Sequence, residues 1–206
     1  KQNRGKPIRN DGPQSQIIAK QVTPTMGGFL ILLGLGTGTL LWADLTNRYV
    51  WAVLLVTLGF GAIGFVDDYL KVSRHNTRGV PGKLKLLFQI LIAFAATYWI
   101  VEATSPDLAT GLTIPFLKNV LIDLGWFYIP FGILVMVGAS NAVNLTDGLD
   151  GLAIVPVMIA ATSFGLIAYL VGNAVFANYL QIQSVPGSGE LLVFCAALFG
   201  AGLGFL

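Results

Sequence analysis

Six apolar stretches alternate with shorter polar ones along the chain, at roughly 26–43, 50–70, 84–102, 126–143, 152–171 and 190–206. Each is close to the ~20 residues needed to cross a bilayer, allowing for tilt. In lipid every backbone N–H and C=O must find its partner within the segment, so runs of this length predict helices. A membrane barrel would show shorter segments alternating between apolar and polar positions, and no such alternation occurs. The pattern predicts an all-α fold, a polytopic integral membrane helical bundle of about six transmembrane helices. A single membrane-embedded domain is expected over 1–206.

Composition strengthens that picture. The chain is 55% hydrophobic and 11% charged, where a soluble domain is about a quarter charged. The mean hydropathy is +0.75. Cys195 is the one cysteine and lies in an apolar run, so an intrachain disulfide is excluded and a thiolate metal site is disfavoured. No signal peptide leads the chain, and "LLVFCAALFGAGLGFL" runs to the last residue without a polar flank. The chain therefore reads as a truncated part of a longer protein.

Charge orients the helices. Lys1, Arg4, Lys6, Arg9 and Lys20 cluster before the first stretch, and Lys71, Arg74, Arg78, Lys83 and Lys85 lie between the second and third. Only Arg48 and Lys118 fall in the other loops. The positive-inside rule then puts 1–25 and 71–85 in the cytoplasm, and 103–125 and 172–189 outside. By parity the second and fourth helices end on the cytoplasmic side. The acidic sequences "GFVDDYLK" and "NAVNLTDGLDGLA" are thereby brought to the face that carries both basic stretches.

Asp67 and Asp68 close an otherwise apolar helix. An aspartate at mid-membrane costs about 2.5–3.5 kcal/mol on insertion scales, and less at a helix end that reaches water. Simple anchoring, with Asp67 and Lys71 as an i,i+4 pair, is one reading. Yet two adjacent like charges repel, and a cation would relieve them. The second cluster offers Asn141, Asn144, Asp147 and Asp150 among helix-breaking Gly148 and Gly151. Hard oxygens of this kind suit Mg²⁺, which binds through one or two carboxylates together with substrate phosphates. A polar turn capped by Thr146 or Asp147 is the plainer alternative. "KQVTPTMGG" adds Lys20 and Thr25 at the start of the first helix, and the lysines of 71–85 supply point charges for phosphates. Acids for a metal beside lysines for an anion are the parts that phosphoryl transfer needs. Two carboxylates at the lipid boundary make sense if one reactant is a lipid phosphate. His75, in a polar loop without partner ligands, reads as solvated.

"GLGTG" at 34–38 lies within an apolar run with no strand before it, so it is not a dinucleotide loop. Gly34 with Gly38, and Gly200 with Gly204, are spaced to let helices approach closely.

At "PTMGG", "GFVDDYLK" and "NAVNLTDGLDGLA" the chain resembles the phospho-N-acetylmuramoyl-pentapeptide transferases, within the polyprenyl-phosphate sugar-1-phosphate transferase superfamily. The likeness extends from "RNDGP" at 9–13 to "GAGLGFL" at the end. It implies transfer of phospho-MurNAc-pentapeptide from UDP-MurNAc-pentapeptide to undecaprenyl phosphate, giving lipid I and UMP in peptidoglycan synthesis. It also implies Mg²⁺ as cofactor, a multi-pass protein of the bacterial inner membrane, and an active site facing the cytoplasm. The lipid bilayer is an expected partner, a homodimer is compatible, and nucleic acid is not expected. The family has ten spanning helices, so these would be the third to the eighth. A later metal-contacting aspartate and a histidine-rich loop would lie beyond residue 206. By motif, Asp67 and Asp68 are the catalytic pair, with Asp67 deprotonating or orienting the lipid phosphate. Asn144 and Asp147 match residues near the diphosphate, Lys20 and Asp150 the uridine pocket, and Lys71 and Lys83 the lysines near the phosphates. Thr25 belongs with the substrate-binding set, and Asp68 and Asp147 are the metal candidates. Two rivals are a GlcNAc-1-phosphate transferase of the same superfamily and an ion-coupled transporter. The transporter would place its acids nearer mid-membrane.

Overall fold

A computed structural model describes residues 27–73, 79–114, 120–146 and 152–206. Among the described residues six long helices carry the fold, one for each apolar stretch. They are α1 (Gly27–Trp42), α2 (Arg48–Ser73), α3 (Gly82–Ala103), α4 (Tyr128–Thr146), α5 (Ile154–Gly172) and, after a short α6 (Ala174–Leu180), α7 (Leu191–Phe205). Five of the six are long and apolar enough to cross a membrane. Gly27–Trp42 is shorter and starts where the described residues start. The all-α membrane expectation holds, with one small addition. Between α3 and α4 an antiparallel hairpin pairs β1 (Gly111–Thr113) with β2 (Leu121–Asp123).

The helices pack in a row. α4 lies on α3, α3 on α2, α2 on α1, α1 on α7, and α7 on α5. Small residues set the α1–α7 approach. A Cβ on Gly34 would stand 3.4 Å from the Ala201 Cβ, and one on Gly38 would stand 3.1 Å from the Ala197 Cβ. The expected role of Gly34 and Gly38 is thus met. Gly200 and Gly204 differ from expectation, because their α-carbons face open space. Ala197 and Ala201 occupy the same i,i+4 spacing on the inward face of α7. One residue beyond Ala201, Gly202 is buried and turned toward Met158 of α5.

Threonine hydroxyls buried between helices are satisfied locally. The Thr39 hydroxyl donates to the Leu35 carbonyl and the Thr97 hydroxyl to the Ala93 carbonyl, both at 2.8 Å. This i−4 back-bonding lets a hydroxyl sit in lipid without an orphaned donor. The outward faces are apolar and exposed, as at Leu41, Trp42 and Phe164.

The helix ends alternate between the two ends of the bundle. One end of the bundle gathers the loops after α1, α3 and α5. There the Asn47 amide donates to the Gly187 carbonyl at 2.7 Å, the Asp44 N–H donates to Glu190 Oε2 at 3.1 Å, and Tyr49 and Thr104 share a 3.1 Å hydrogen bond. The hairpin is pinned by Asp123, whose Oδ1 accepts from the Thr110 hydroxyl at 2.6 Å and the Gly125 N–H at 2.8 Å. Those two donors, the hydroxyl foremost, hold the exposed Asp123 carboxyl below its usual range. The other end carries the last turn of α2, the first of α3 and the last of α4.

Candidate functional site

Helix length positions the carboxylates. α2 has 26 residues, which at 1.5 Å each is about 39 Å, against a hydrocarbon core of about 30 Å. Asp67 lies about 29 Å along from Arg48 on the same rise. It therefore falls at the boundary, and the final turn projects beyond it. Gly82 begins α3 and Thr146 ends α4 at this same end. Three elements distant in sequence converge there.

They enclose a pocket of about 560 Å³ lined by Asp67, Lys71, Gly79, Val80, Pro81, Lys85 and Asn144. Asp67 is its centre, with a side chain only 16% exposed. Its Oδ2 accepts from Lys71 Nζ at 2.5 Å, and its Oδ1 accepts from the Val80 N–H at 2.8 Å. Asp68 Oδ1 lies 3.9 Å from the same lysine nitrogen. The i,i+4 pair that anchoring would use is present. An anchor has no need of the second oxygen's backbone donor, or of a loop folded back over the carboxylate from residue 80.

Gly79 makes that fold-back feasible. A Cβ there would stand 2.7 Å from Lys71 Cε and 2.9 Å from Asp67 Cγ, well inside contact distance. Lys85 sits half-buried on the first turn of α3 and contributes positive potential at Asp67. The Leu84 and Lys85 N–H groups both donate to the Pro81 carbonyl, which starts α3 directly beneath the loop.

Of the residues picked out by sequence, Asp67, Asp68, Lys71 and Asn144 are brought together here. Lys83 is exposed at the start of α3 and is not among the pocket-lining residues. Asn141 does not line the pocket. Its Nδ2 donates to Gln89 Oε1 of α3 at 3.0 Å and to the Val137 carbonyl at 2.8 Å. Lys20, Thr25, Asp147 and Asp150 lie outside the described residues, as does His75. Lys85 belongs to the loop lysines expected near phosphates, whereas Gly79 and Val80 carry roles that the motifs did not single out. The run "GVPGK" was their one signal, a glycine two residues before a proline that opens a helix.

The donor set is compatible with Mg²⁺. Among the described residues no three acidic, histidine or cysteine side chains converge. Mg²⁺ needs only one or two carboxylates when substrate phosphates complete its shell, and Asp68, with Oδ1 3.9 Å from the Lys71 nitrogen, supplies one; the other metal candidate, Asp147, lies outside the described residues.

A row of apolar helices with carboxylates, lysines and an asparagine gathered at one membrane boundary defines a multi-pass membrane protein with a polar site at its surface. The chain belongs to glycosyl transferase family 4, whose family model matches residues 50–206. A phospho-N-acetylmuramoyl-pentapeptide-transferase of Granulibacter bethesdensis is 63% identical to it over 205 residues. That alignment takes in the whole of this chain and 57% of the relative, so the chain spans little more than half the relative's length.

Proposed function

We propose that the full-length protein is a phospho-N-acetylmuramoyl-pentapeptide transferase. It moves phospho-MurNAc-pentapeptide from UDP-MurNAc-pentapeptide to undecaprenyl phosphate, releasing UMP and forming lipid I for peptidoglycan synthesis. The observation that carries this reading is Asp67, held at the lipid boundary by Lys71 and the Val80 N–H in a pocket walled by Lys85 and Asn144. The 63% identity to the Granulibacter transferase supports it.

A lipid phosphate reaches this pocket from the bilayer side and a nucleotide sugar from water. Lys71, Lys83 and Lys85 attract the phosphates, and Asn144 hydrogen-bonds near the diphosphate. Asp67 orients or deprotonates the attacking lipid phosphate. Phosphoryl transfer asks mainly for such positioning and charge neutralisation. Mg²⁺, when held by Asp68 and Asp147, would neutralise charge on the diphosphate and the departing UMP. Lys20, Thr25 and Asp150 complete the nucleotide side. The site faces the cytoplasm of a bacterial inner membrane, on the side of the ten clustered cations, in a protein that could pair as a homodimer.

The test is UMP release by the purified full-length protein. With undecaprenyl phosphate and Mg²⁺ present, UDP-MurNAc-pentapeptide should turn over and UDP-GlcNAc should not. Turnover of UDP-GlcNAc alone would assign the protein to the GlcNAc-1-phosphate branch. No UMP from either would remove the transferase reading.

A further inference from the structure

Behind the pocket, two amide side chains meet between α3 and α4. Gln89 is 3% exposed, and the buried Ala93 and Val137 lie one turn further along its own helix and the facing one. Its Oε1 accepts from Asn141 Nδ2 at 3.0 Å. Asn141 also donates to the Val137 carbonyl of its own helix. Gln89 is four residues beyond Lys85, and Asn141 is three before Asn144, so each amide stands on the same helix face as a pocket-lining side chain. The pair therefore lies one turn beneath two site residues that come from different helices.

Burying an amide is costly, and an apolar side chain would fill the same space without that cost. A side-chain hydrogen bond between helices adds little stability in a membrane. What it does supply is direction, because it is satisfied in one rotation and one register of α4 on α3. We infer that Gln89 and Asn141 are positioning residues, whose hydrogen bond sets Asn144 against Lys85 and Asp67 for the transfer reaction. The inference rests on the function proposed above.

The full-length enzyme provides the test. Gln89→Met removes the acceptor and keeps the bulk, while Asn141 retains the Val137 carbonyl, so the fold should survive. Gln89→Glu, protonated or ionised, keeps an acceptor at the same reach. Misplacement by about an ångström can cost up to ~10²-fold in rate. We expect Gln89→Met to lower kcat for UMP release by about tenfold or more per folded molecule, with the melting temperature nearly unchanged. Gln89→Glu should recover most of that loss.

Spin labels at the exposed Phe88 and Val143, in a Cys195→Ala background, report the α3–α4 geometry without turnover. Their distance distribution should broaden in Gln89→Met and stay narrow in Gln89→Glu. That readout separates the two failures: a parent enzyme that releases no UMP overturns the function, while the spin-label distances still judge the pairing. Unchanged kcat in Gln89→Met, an unchanged distance distribution, or equal damage from Glu and Met would each overturn the positioning role.

Discussion

Adding one methyl group to the loop over Asp67 should cripple the enzyme without unfolding it. In Gly79→Ala the new Cβ would stand 2.7 Å from Lys71 Cε and 2.9 Å from Asp67 Cγ. Ordinary carbon contacts begin near 3.4 Å, so the lysine must retreat by about 0.7 Å, and Asp67 Oδ1, which the new methyl would meet more closely than either carbon, by about an ångström. The Lys71 stem is flexible and can yield. Asp67 cannot yield freely, because its Oδ1 is the atom held by the Val80 N–H. Either that hydrogen bond breaks or the loop lifts away. A hydrogen bond to a charged group contributes about 1.5–3 kcal/mol, and a shift approaching an ångström in a reacting group can cost up to ~10²-fold. Turnover of full-length Gly79→Ala should therefore fall by roughly 10–100-fold. Its melting temperature in detergent should fall by several degrees at most, since the helix contacts are untouched. The assay is UMP release at saturating substrates and Mg²⁺, normalised to folded protein. A kcat within about twofold of the parent would refute the claim that the loop holds Asp67 in place.

Three further outcomes follow from the same geometry. Gly38→Leu drives a branched side chain toward Ala197, and such overpacking costs about 1–3 kcal/mol; thermal unfolding should show the loss, whereas Gly200→Leu, facing open space, should be tolerated. Lys85→Met removes a half-buried charge from the pocket wall and should lower kcat/KM by about tenfold or more, at least as far as Lys83→Met does; a larger effect at 83 than at 85 would contradict the pocket geometry. In a Cys195→Ala background, an impermeant thiol reagent applied to intact cells should label a cysteine at Thr110 and spare one at Ser73, and the reverse pattern would invert the topology.

Much of the fold was legible because lipid imposes a strong rule. Twenty apolar residues in a row have few alternatives to a helix, so the six long helices fall where hydropathy puts them. Parity and charge then bring Asp67 and Asn144 to one end. The hairpin escaped notice because three-residue strands such as Gly111–Thr113 leave no detectable alternation. Helix rotation was equally invisible. Spacing alone made Gly200 and Gly204 look like packing residues, while the structure assigns that contact to Ala197 and Ala201. It also grouped Asn141 with Asn144, although three residues along α4 one amide meets Gln89 and the other lines the pocket. Gly79 and Val80 act through a loop folded back on α2, a tertiary approach with no periodic trace in the sequence.

Asp67→Asn in the full-length enzyme tests the central claim most directly, because it removes the charge and keeps the shape. Steady-state UMP release at saturating Mg²⁺ should be measured beside a nucleotide-sugar binding titration on the same preparation. If Asp67 orients or deprotonates the lipid phosphate, turnover should drop by roughly 10²–10⁴. Nucleotide-sugar binding should change far less, since Lys85 and Asn144 still line the pocket. Turnover within a few-fold of the parent would contradict the account and return Asp67 to the end of α2 as an interfacial anchor.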